Sequence, residues 1–184
     1  MPAFLGLMPE LREVRLFLAL FTPTCSLCRV TDVTPELLRD LNVKGLLLDV
    51  DNTLAFPDSQ TPFPGTVEWS RHLREAGFSL AIMSNNSAGR VRPFAAKYGL
   101  PFCPRSMKPL PWAYLHAARR LGVDRRETAV AGDQVFTDIL GANLAGMKSI
   151  LLLPGRKEGS FSFRVRRILE KPIRLKAGRK TERG

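Results

Sequence analysis

The sequence of 184 residues predicts one α/β domain built on a doubly wound parallel sheet. Short runs of aliphatic residues, each bounded by polar or turn residues, are typical of strands that are buried on both faces. Segments with apolar residues at helical spacing lie between these runs. The alternation of the two patterns predicts repeated strand–helix units, and a chain of this length can bury an adequate core.

The predicted elements can be placed along the chain from these patterns. The strands are expected at residues 46–48, 78–83, 128–131 and 149–153. The main helices are expected at about residues 65–76, 88–98, 111–121 and 136–145. A further helix is predicted to start at Pro35, because Thr34 is a good N-cap and proline is favoured in a first turn.

Three regions follow from this organisation. We expect residues 1–42 to be an N-terminal extension that packs on the core, residues 43–155 to be the catalytic domain, and residues 156–184 to be a basic amphipathic helix and tail. Residues 14–21 are apolar apart from Arg15, which is well short of the ~20 residues that a membrane span needs. The segment also lacks the features of a signal peptide. The sequence therefore predicts a cytoplasmic protein.

Two aspartates, Asp49 and Asp51, follow the first predicted strand directly. The carboxyl edge of an open α/β sheet is where such folds bind ligands. Neighbouring carboxylates raise each other's pKa unless a cation or a proton compensates. The pair therefore predicts a metal site at this edge and an oxyanion as the substrate.

Polar residues at three later points fit the same site. Ser84 and Asn85 follow the second strand and can donate hydrogen bonds to phosphate oxygens, Lys108 lies in a following loop, and Asp133 and Asp138 follow the third strand. Taken one at a time, these residues are also ordinary turn, cap and surface residues. Their order and spacing together favour a catalytic site.

These motifs in this order resemble the haloacid dehalogenase (HAD) superfamily of phosphatases. The resemblance implies that Asp49 is the nucleophile, Asp51 the general acid/base, and Thr53 the residue that steadies their loop beside the substrate. It also implies that Ser84 and Lys108 bind the phosphate. The implied metal ligands are Asp49, Asp51, Asp133 and Asp138.

The implied chemistry is phosphomonoester hydrolysis through an aspartyl-phosphate. Because a carboxylate is a weak nucleophile towards a phosphate dianion, a divalent cation is needed to neutralise charge while Lys108 and Ser84 bind the equatorial oxygens. Asp51 would protonate the leaving alkoxide and later activate water. The ligands are all oxygens, so we expect Mg²⁺.

A closer resemblance is to the YqeG family of subfamily IIIA, which has the HAD-like, Rossmann-type sheet and no cap domain. It covers approximately residues 21–155 and depends most on the sequence from Asp51 to Leu54 and on Gly132-Asp133-Gln134. Only 30 residues separate Thr53 from Ser84 and 23 separate Ser84 from Lys108, which leaves little chain for a cap. A site that cannot close favours a phosphate on a bulky carrier: a lipid head group, a protein or a nucleic acid end. Relatives of the family include phosphatidylglycerophosphate phosphatases.

The C-terminal segment suggests a partner. Residues 156–184 contain 11 Lys/Arg and 3 Glu, a net charge of +8 out of +11 for the chain. An apolar stripe at helical spacing runs through it, formed by Phe161, Val165, Ile168 and Leu169. This pattern suits an anionic membrane surface, and equally a terminal helix docked on the core with a solvated basic face. In the first case the protein would be peripheral at the inner face of the membrane.

Two other classes of function stay open. The first is a nucleic-acid-directed or RNA-associated phosphatase, which is less favoured because few aromatic residues interleave with the basic ones. The second is a non-catalytic adaptor, which the complete motif set disfavours.

Cys25 and Cys28 have redox or zinc spacing, but without a second ligand pair we expect plain thiols, like the lone Cys103. We expect the two histidines to lie on helix surfaces.

Overall fold

A computed structural model describes residues 17–152 of the chain, and these residues form a six-stranded parallel sheet. Its spatial order is β1-β6-β5-β2-β3-β4. The strands are β1 Cys25–Leu27, β2 Gly45–Leu48, β3 Ser79–Met83, β4 Phe102–Cys103, β5 Thr128–Gly132 and β6 Lys148–Leu152. The predicted doubly wound α/β class is confirmed.

Five α-helices connect the strands of the described region. They are α1 Pro35–Asp40, α2 Thr66–Glu75, α3 Ala88–Tyr98, α4 Pro111–Leu121 and α5 Leu140–Ala145. The predicted start of α1 is confirmed, because the Thr34 hydroxyl accepts a hydrogen bond from the Leu37 amide at 3.2 Å. The helix predicted over 136–145 is divided: Val135–Ile139 is a π-helical turn, and α5 continues from it. Such turns are often found at functional sites.

The central strand β2 contributes to two cores, one on each face of the sheet. Leu46 and Leu48 are fully buried in a core that also contains Phe94 of α3. Leu47, which points the other way, is buried with Tyr114 of α4. The continuous aliphatic run of β2 is therefore needed because helices cover both of its faces.

The register of the central strands brings their carboxyl ends to one level. Leu48 of β2 pairs with Ile82 of β3 on one side and with Ala131 of β5 on the other. The Asp49 amide continues the ladder by donating to the Ala131 carbonyl at 3.0 Å. The polar residues that follow these three strands consequently meet at one edge of the sheet, as expected for parallel strands.

Both edges of the sheet are short strands that the sequence patterns do not predict. β1 has three residues and β4 has two. Runs this short carry no recognisable periodicity, so they are defined by their pairing with β6 and β3. β1 lies within the segment expected as an N-terminal extension, so this part of that segment is an edge strand.

The two intervals that separate Thr53, Ser84 and Lys108 lie entirely within the described residues. Residues 53–108 contain only α2, β3, α3, β4 and their connecting loops.

No helix between residues 17 and 152 is both long and apolar enough to cross a bilayer. His72 and His116 are exposed on helices as predicted, and the three cysteines are free thiols. The basic segment 156–184 lies outside the described residues.

Candidate active site

A cavity of about 400 Å³ opens at the carboxyl edge of the central strands. Asp49 and Asp51 line it from the loop after β2, Ser84 and Asn85 from the loop after β3, and Lys108 from the loop before α4. We call this space the Asp49 cavity. The structure thus brings together five residues that the sequence analysis selected from three separate segments.

Lys108, which lines this cavity, is bound to two acids. Its Nζ donates to Asp49 Oδ1 at 2.6 Å and to Asp138 Oδ1 at 2.7 Å. The side chains of all three residues are at most 6% exposed. The Lys108–Pro109 peptide bond that follows is cis. Two carboxylates share this one ammonium group, and a third acid, Asp133, is buried beside them.

Burial and charge change the proton affinities of this cluster. Burial raises the pKa of Asp49 to about 8, an effect that Lys108 opposes and that Asp138 and Asp133 reinforce. Burial by itself would lower the pKa of Lys108, but the carboxylates of Asp138 and Asp49 outweigh it and raise that pKa. Lys108 is therefore held charged, whereas Asp49 is short of compensating positive charge.

The acidic residues are suited to a small divalent cation. Asp49, Asp133 and Asp138 can each offer one oxygen, and these three oxygens lie within 4.8 Å of one another. Asp49 Oδ2 is buried and has no hydrogen-bond partner among the described residues. Carboxylate oxygens are the preferred ligands of Mg²⁺, which also keeps several waters. The chemistry of these three side chains therefore fits the expected ion.

Asp51 does not belong to this cluster of ligand oxygens. Its Oδ2 accepts a hydrogen bond from Asn86 Nδ2 at 2.8 Å, and its Oδ1 forms an ion pair with the Arg90 guanidinium at 2.7 Å. Asp51 is therefore absent from the group of acids whose oxygens lie within 4.8 Å of one another, and its expected role as a metal ligand stays a prediction. Its two donors come from α3 and from the loop that precedes this helix. Its place in the lining of the cavity still suits a proton-transfer role.

The two polar residues after β3 have different surroundings. Ser84 is buried and lines the cavity, and its hydroxyl accepts from the Asn86 amide at 3.2 Å. Asn85 Oδ1 accepts from the Lys108 amide at 2.8 Å and from the Ser106 hydroxyl at 3.2 Å. Asn85 Nδ2 donates to the Lys108 carbonyl at 3.3 Å. The Asn85 amide, expected to bind substrate, thus holds the backbone of the lysine loop.

Thr53 is placed away from the Asp49 cavity. Its side chain is buried, and Thr53 lines a second cavity of about 300 Å³ together with Asn52 and Phe56. Its amide donates to the Val50 carbonyl at 3.2 Å and closes the turn that carries Asp51. The backbone of Thr53 thus belongs to the turn, and its role beside the substrate stays a prediction.

Several residues of the site are not identified by sequence patterns. Neither Asn86 nor Arg90 is among the residues selected from the sequence, yet both bind Asp51. Asn86 lies in the loop before α3 and Arg90 in its first turn, and no periodic pattern marks either residue. The remaining members of the cavity lining that were missed are Pro109, Gln134, Phe136 and Thr137.

Comparison with known proteins agrees with this geometry. Residues 35–146 match the model of the haloacid dehalogenase-like hydrolases. The chain is 35% identical over 153 residues to the "Probable phosphatase YqeG" of Bacillus subtilis (strain 168), covering 83% of this chain and 89% of that protein. It is 29% identical over 154 residues to the mitochondrial phosphatidylglycerophosphatase GEP4 of Saccharomyces cerevisiae, covering 72% and 81% of the two chains.

The fold is also shared with solved structures. The crystal structure of a HAD phosphatase from Thermococcus onnurineus superposes with a TM-score of 0.55 at 17% identity, covering 69% of this chain and 98% of that chain. The resemblance found in the motifs is thus confirmed over most of the sequence. With its sheet, its buried lysine and its three buried aspartates in place, this chain belongs to the haloacid dehalogenase-like hydrolases and is a phosphatase of that family.

Proposed function

We propose that the protein is a Mg²⁺-dependent phosphomonoester hydrolase that forms an aspartyl-phosphate on Asp49. The observation that carries this proposal is the buried cluster of Lys108 with Asp49, Asp133 and Asp138 at the end of β2. Asp49 and Asp138 share the one ammonium group of Lys108, so this group cannot balance both carboxylates. A cation and a phosphate together balance such a site, with the cation offsetting the carboxylates and Lys108 binding the phosphate.

The first chemical step is attack by Asp49 on phosphorus. A bond forms between a carboxylate oxygen of Asp49 and phosphorus while the bond from phosphorus to the alcohol oxygen breaks. Lys108 and the Ser84 hydroxyl line the same cavity and can donate to the equatorial oxygens, where negative charge increases. A bound Mg²⁺ would supply further charge neutralisation for the approach of two anions.

Asp51 would move the protons in both steps. The leaving oxygen keeps the electron pair of the broken bond and takes a proton from the Asp51 carboxyl group. In the second step the resulting carboxylate accepts a proton from water as that water attacks the aspartyl-phosphate. The products are an alcohol and inorganic phosphate, and Asp49 is restored.

We propose a substrate whose phosphate is presented at a surface, with phosphatidylglycerophosphate as the first candidate. The intervals between the motifs contain no domain that could close over a small molecule. Met107 and Trp112, on either side of Lys108 and Pro109, are 58% and 57% exposed. Apolar side chains beside a site suit contact with a lipid surface, where tryptophan is favoured. The yeast relative GEP4 is named as a phosphatidylglycerophosphatase.

A substrate screen tests this proposal. Purified protein with Mg²⁺ would be offered lipid, nucleotide, sugar and phosphopeptide monoesters, with Asp49→Asn prepared in parallel as the control for contaminating phosphatases. We expect release of phosphate by the wild type only, with inhibition by beryllium fluoride, which mimics a phosphoryl group on Asp49. Turnover by Asp49→Asn near the wild-type rate would refute the mechanism.

The same screen distinguishes the carriers of the phosphate. Preference for vesicles that contain phosphatidylglycerophosphate over its short-chain soluble form supports surface presentation. Trp112→Ala should then reduce the rate on vesicles and leave the rate on the short-chain form unchanged. Preference for a nucleic acid 5′- or 3′-phosphate would instead favour the nucleic-acid-directed alternative.

A further inference from the structure

Both carboxylate oxygens of Asp51 are held by side chains, one from α3 and one from the loop that precedes it. Asn86 Nδ2 donates to Oδ2 at 2.8 Å, and the Arg90 guanidinium donates to Oδ1 at 2.7 Å. The Asp51 and Arg90 side chains are only 23% and 22% exposed, so solvent screens this pair less than a surface ion pair. A carboxylate bound at both oxygens has a defined orientation.

Arg90 is itself held from the opposite side. Its second guanidinium nitrogen binds the carboxylate of Asp58, whose side chain is 94% exposed. The backbone carbonyl of Arg90 accepts from Gln60 Nε2 at 3.1 Å. Arg90 therefore connects the loop that contains Asp58 with the loop that contains Asp51, and its guanidinium lies between the two acids.

We propose that Arg90 and Asn86 are positioning residues that orient the Asp51 carboxyl group for proton transfer to and from the reacting oxygens. The inference depends on the proposed function, because it assumes that Asp51 is the acid and base. In the first step the P–O bond to the alcohol breaks, the alcohol oxygen keeps the electron pair, and the Asp51 proton moves to it. In the second step Asp51 takes a proton from the attacking water.

The geometry leaves room for this proton. Each carboxylate oxygen has two lone pairs, so the hydrogen bond from Asn86 leaves one lone pair of Oδ2 available. The Arg90 guanidinium stays protonated in proteins, so it acts only as a hydrogen-bond donor to Asp51. Two donors limit rotation of the Asp51 carboxyl group about the Cβ–Cγ bond. The free lone pair of Oδ2 therefore keeps one direction.

The competing explanation is that Arg90 only fastens the Asp58 loop to α3. Loss of Arg90 would then damage the site in general, and Asp58→Ala would have the same effect. The two explanations predict different losses of activity on different substrates. The alkoxide that leaves from glycerol phosphate is a poor leaving group and needs a proton in the transition state. The dinitrophenolate that leaves from dinitrophenyl phosphate is stable as an anion and does not.

The experiment measures kcat/KM of Arg90→Ala, Arg90→Lys, Asn86→Ala and Asp58→Ala on these two substrates. Because general acid catalysis contributes about 10²- to 10⁴-fold, partial loss of orientation in Arg90→Ala should lower the rate on glycerol phosphate by about 10- to 100-fold. The rate on dinitrophenyl phosphate should change by less than about 3-fold. Asn86→Ala should show the same selectivity, Arg90→Lys should recover part of the loss, and Asp58→Ala should resemble the wild type.

Asp51→Asn separates this inference from the proposed function. It should lose activity on glycerol phosphate far more than on dinitrophenyl phosphate. If it does and Arg90→Ala loses activity equally on both substrates, the positioning role is wrong while the acid role of Asp51 stands. If Asp51→Asn is not selective, both are overturned. If Asp58→Ala shows the same loss of activity as Arg90→Ala, the positioning role is also wrong. If Arg90→Ala does not fold, Arg90→Lys and Asn86→Ala provide the test instead.

Discussion

The Lys108 ammonium nitrogen lies 2.6 Å from Asp49 Oδ1, although 59 positions separate the two residues in the chain. The same nitrogen binds Asp138, so one cation is shared by two buried acids. A third acid, Asp133, is fully buried, and one of its oxygens lies within 4.8 Å of an oxygen of each of the other two acids. The stability of the fold and the activity of the site are therefore linked through this cluster.

Replacing Lys108 by methionine should destabilise the protein, because it leaves buried carboxylates without their partner. Breaking a buried ion pair by removing one member costs about 3–5 kcal/mol. We expect a loss of this order in urea unfolding with EDTA, and a smaller loss with Mg²⁺. The control is Lys44→Met, which removes an ion pair to Glu127 from a lysine that is 66% exposed and should cost less than about 1 kcal/mol. Equal losses in the two variants would contradict this view of the cluster.

The stability of the metal-free protein should fall as the pH rises. The pKa of Asp49 is raised from its ordinary value of 3.8 to about 8 by burial, against the effect of Lys108. The folded state thus binds this proton more tightly than the unfolded chain does. The contribution to stability is complete below about pH 4, declines as the pH rises, and is lost above about pH 8.

The measurement is the urea midpoint between about pH 5 and pH 8 in EDTA. Asp49→Asn has no proton to lose, so its midpoint should decline less over this range and should exceed that of the wild type at the upper end. Parallel curves for the two proteins would show that Asp49 does not carry the effect.

Gly132, the last residue of β5, should be intolerant of a side chain. A Cβ atom there would overlap the carboxylate carbon and an oxygen of Asp138. Gly132→Ala must therefore displace Asp138 from Lys108 and from the expected ion, and overpacking of this kind costs about 1–3 kcal/mol. We expect a lower melting temperature and a higher Mg²⁺ concentration for half-maximal activity.

The matched control for this change is Gly89→Ala. Gly89 lies in the first turn of α3 with no atom within 4 Å of the added Cβ. Alanine is favoured over glycine in helices by up to about 1 kcal/mol. The control should be neutral or slightly stabilising with an unchanged Mg²⁺ dependence. A normal Mg²⁺ dependence in Gly132→Ala would mean that Asp138 is not required by the ion.

Removing the chain after Gly155 should separate two interpretations of the basic segment, which lies outside the described residues. If residues 156–184 attach the protein to anionic lipid, the truncated protein should keep its activity on a soluble phosphomonoester and lose activity on anionic vesicles. High salt should have the same effect on the full chain, because exposed charges are screened over about 8 Å at physiological ionic strength. A lowered melting temperature with unchanged vesicle binding would favour a structural role.

Much of the site can be predicted from the sequence because parallel strands end at a common edge. The aliphatic runs identify β2, β3 and β5, and the residues that follow them must then lie near one another. This places Asp49, Ser84 and Asp133 together without any knowledge of the loops. The helices α3 and α4 are likewise predictable, since their apolar spacing, Pro111 and the terminal glycines indicate where they lie.

What the sequence by itself determined is therefore the order of strands and helices and the identity of the residues at the catalytic edge. The tertiary structure alone decided which way each side chain points. Asp51 binds Arg90 rather than joining Asp49, Asn85 holds the lysine loop, and two edge strands exist only through their pairing. The physical reason is that residue spacing places a side chain on a loop, whereas its direction depends on loop backbone angles and on partners distant in the chain.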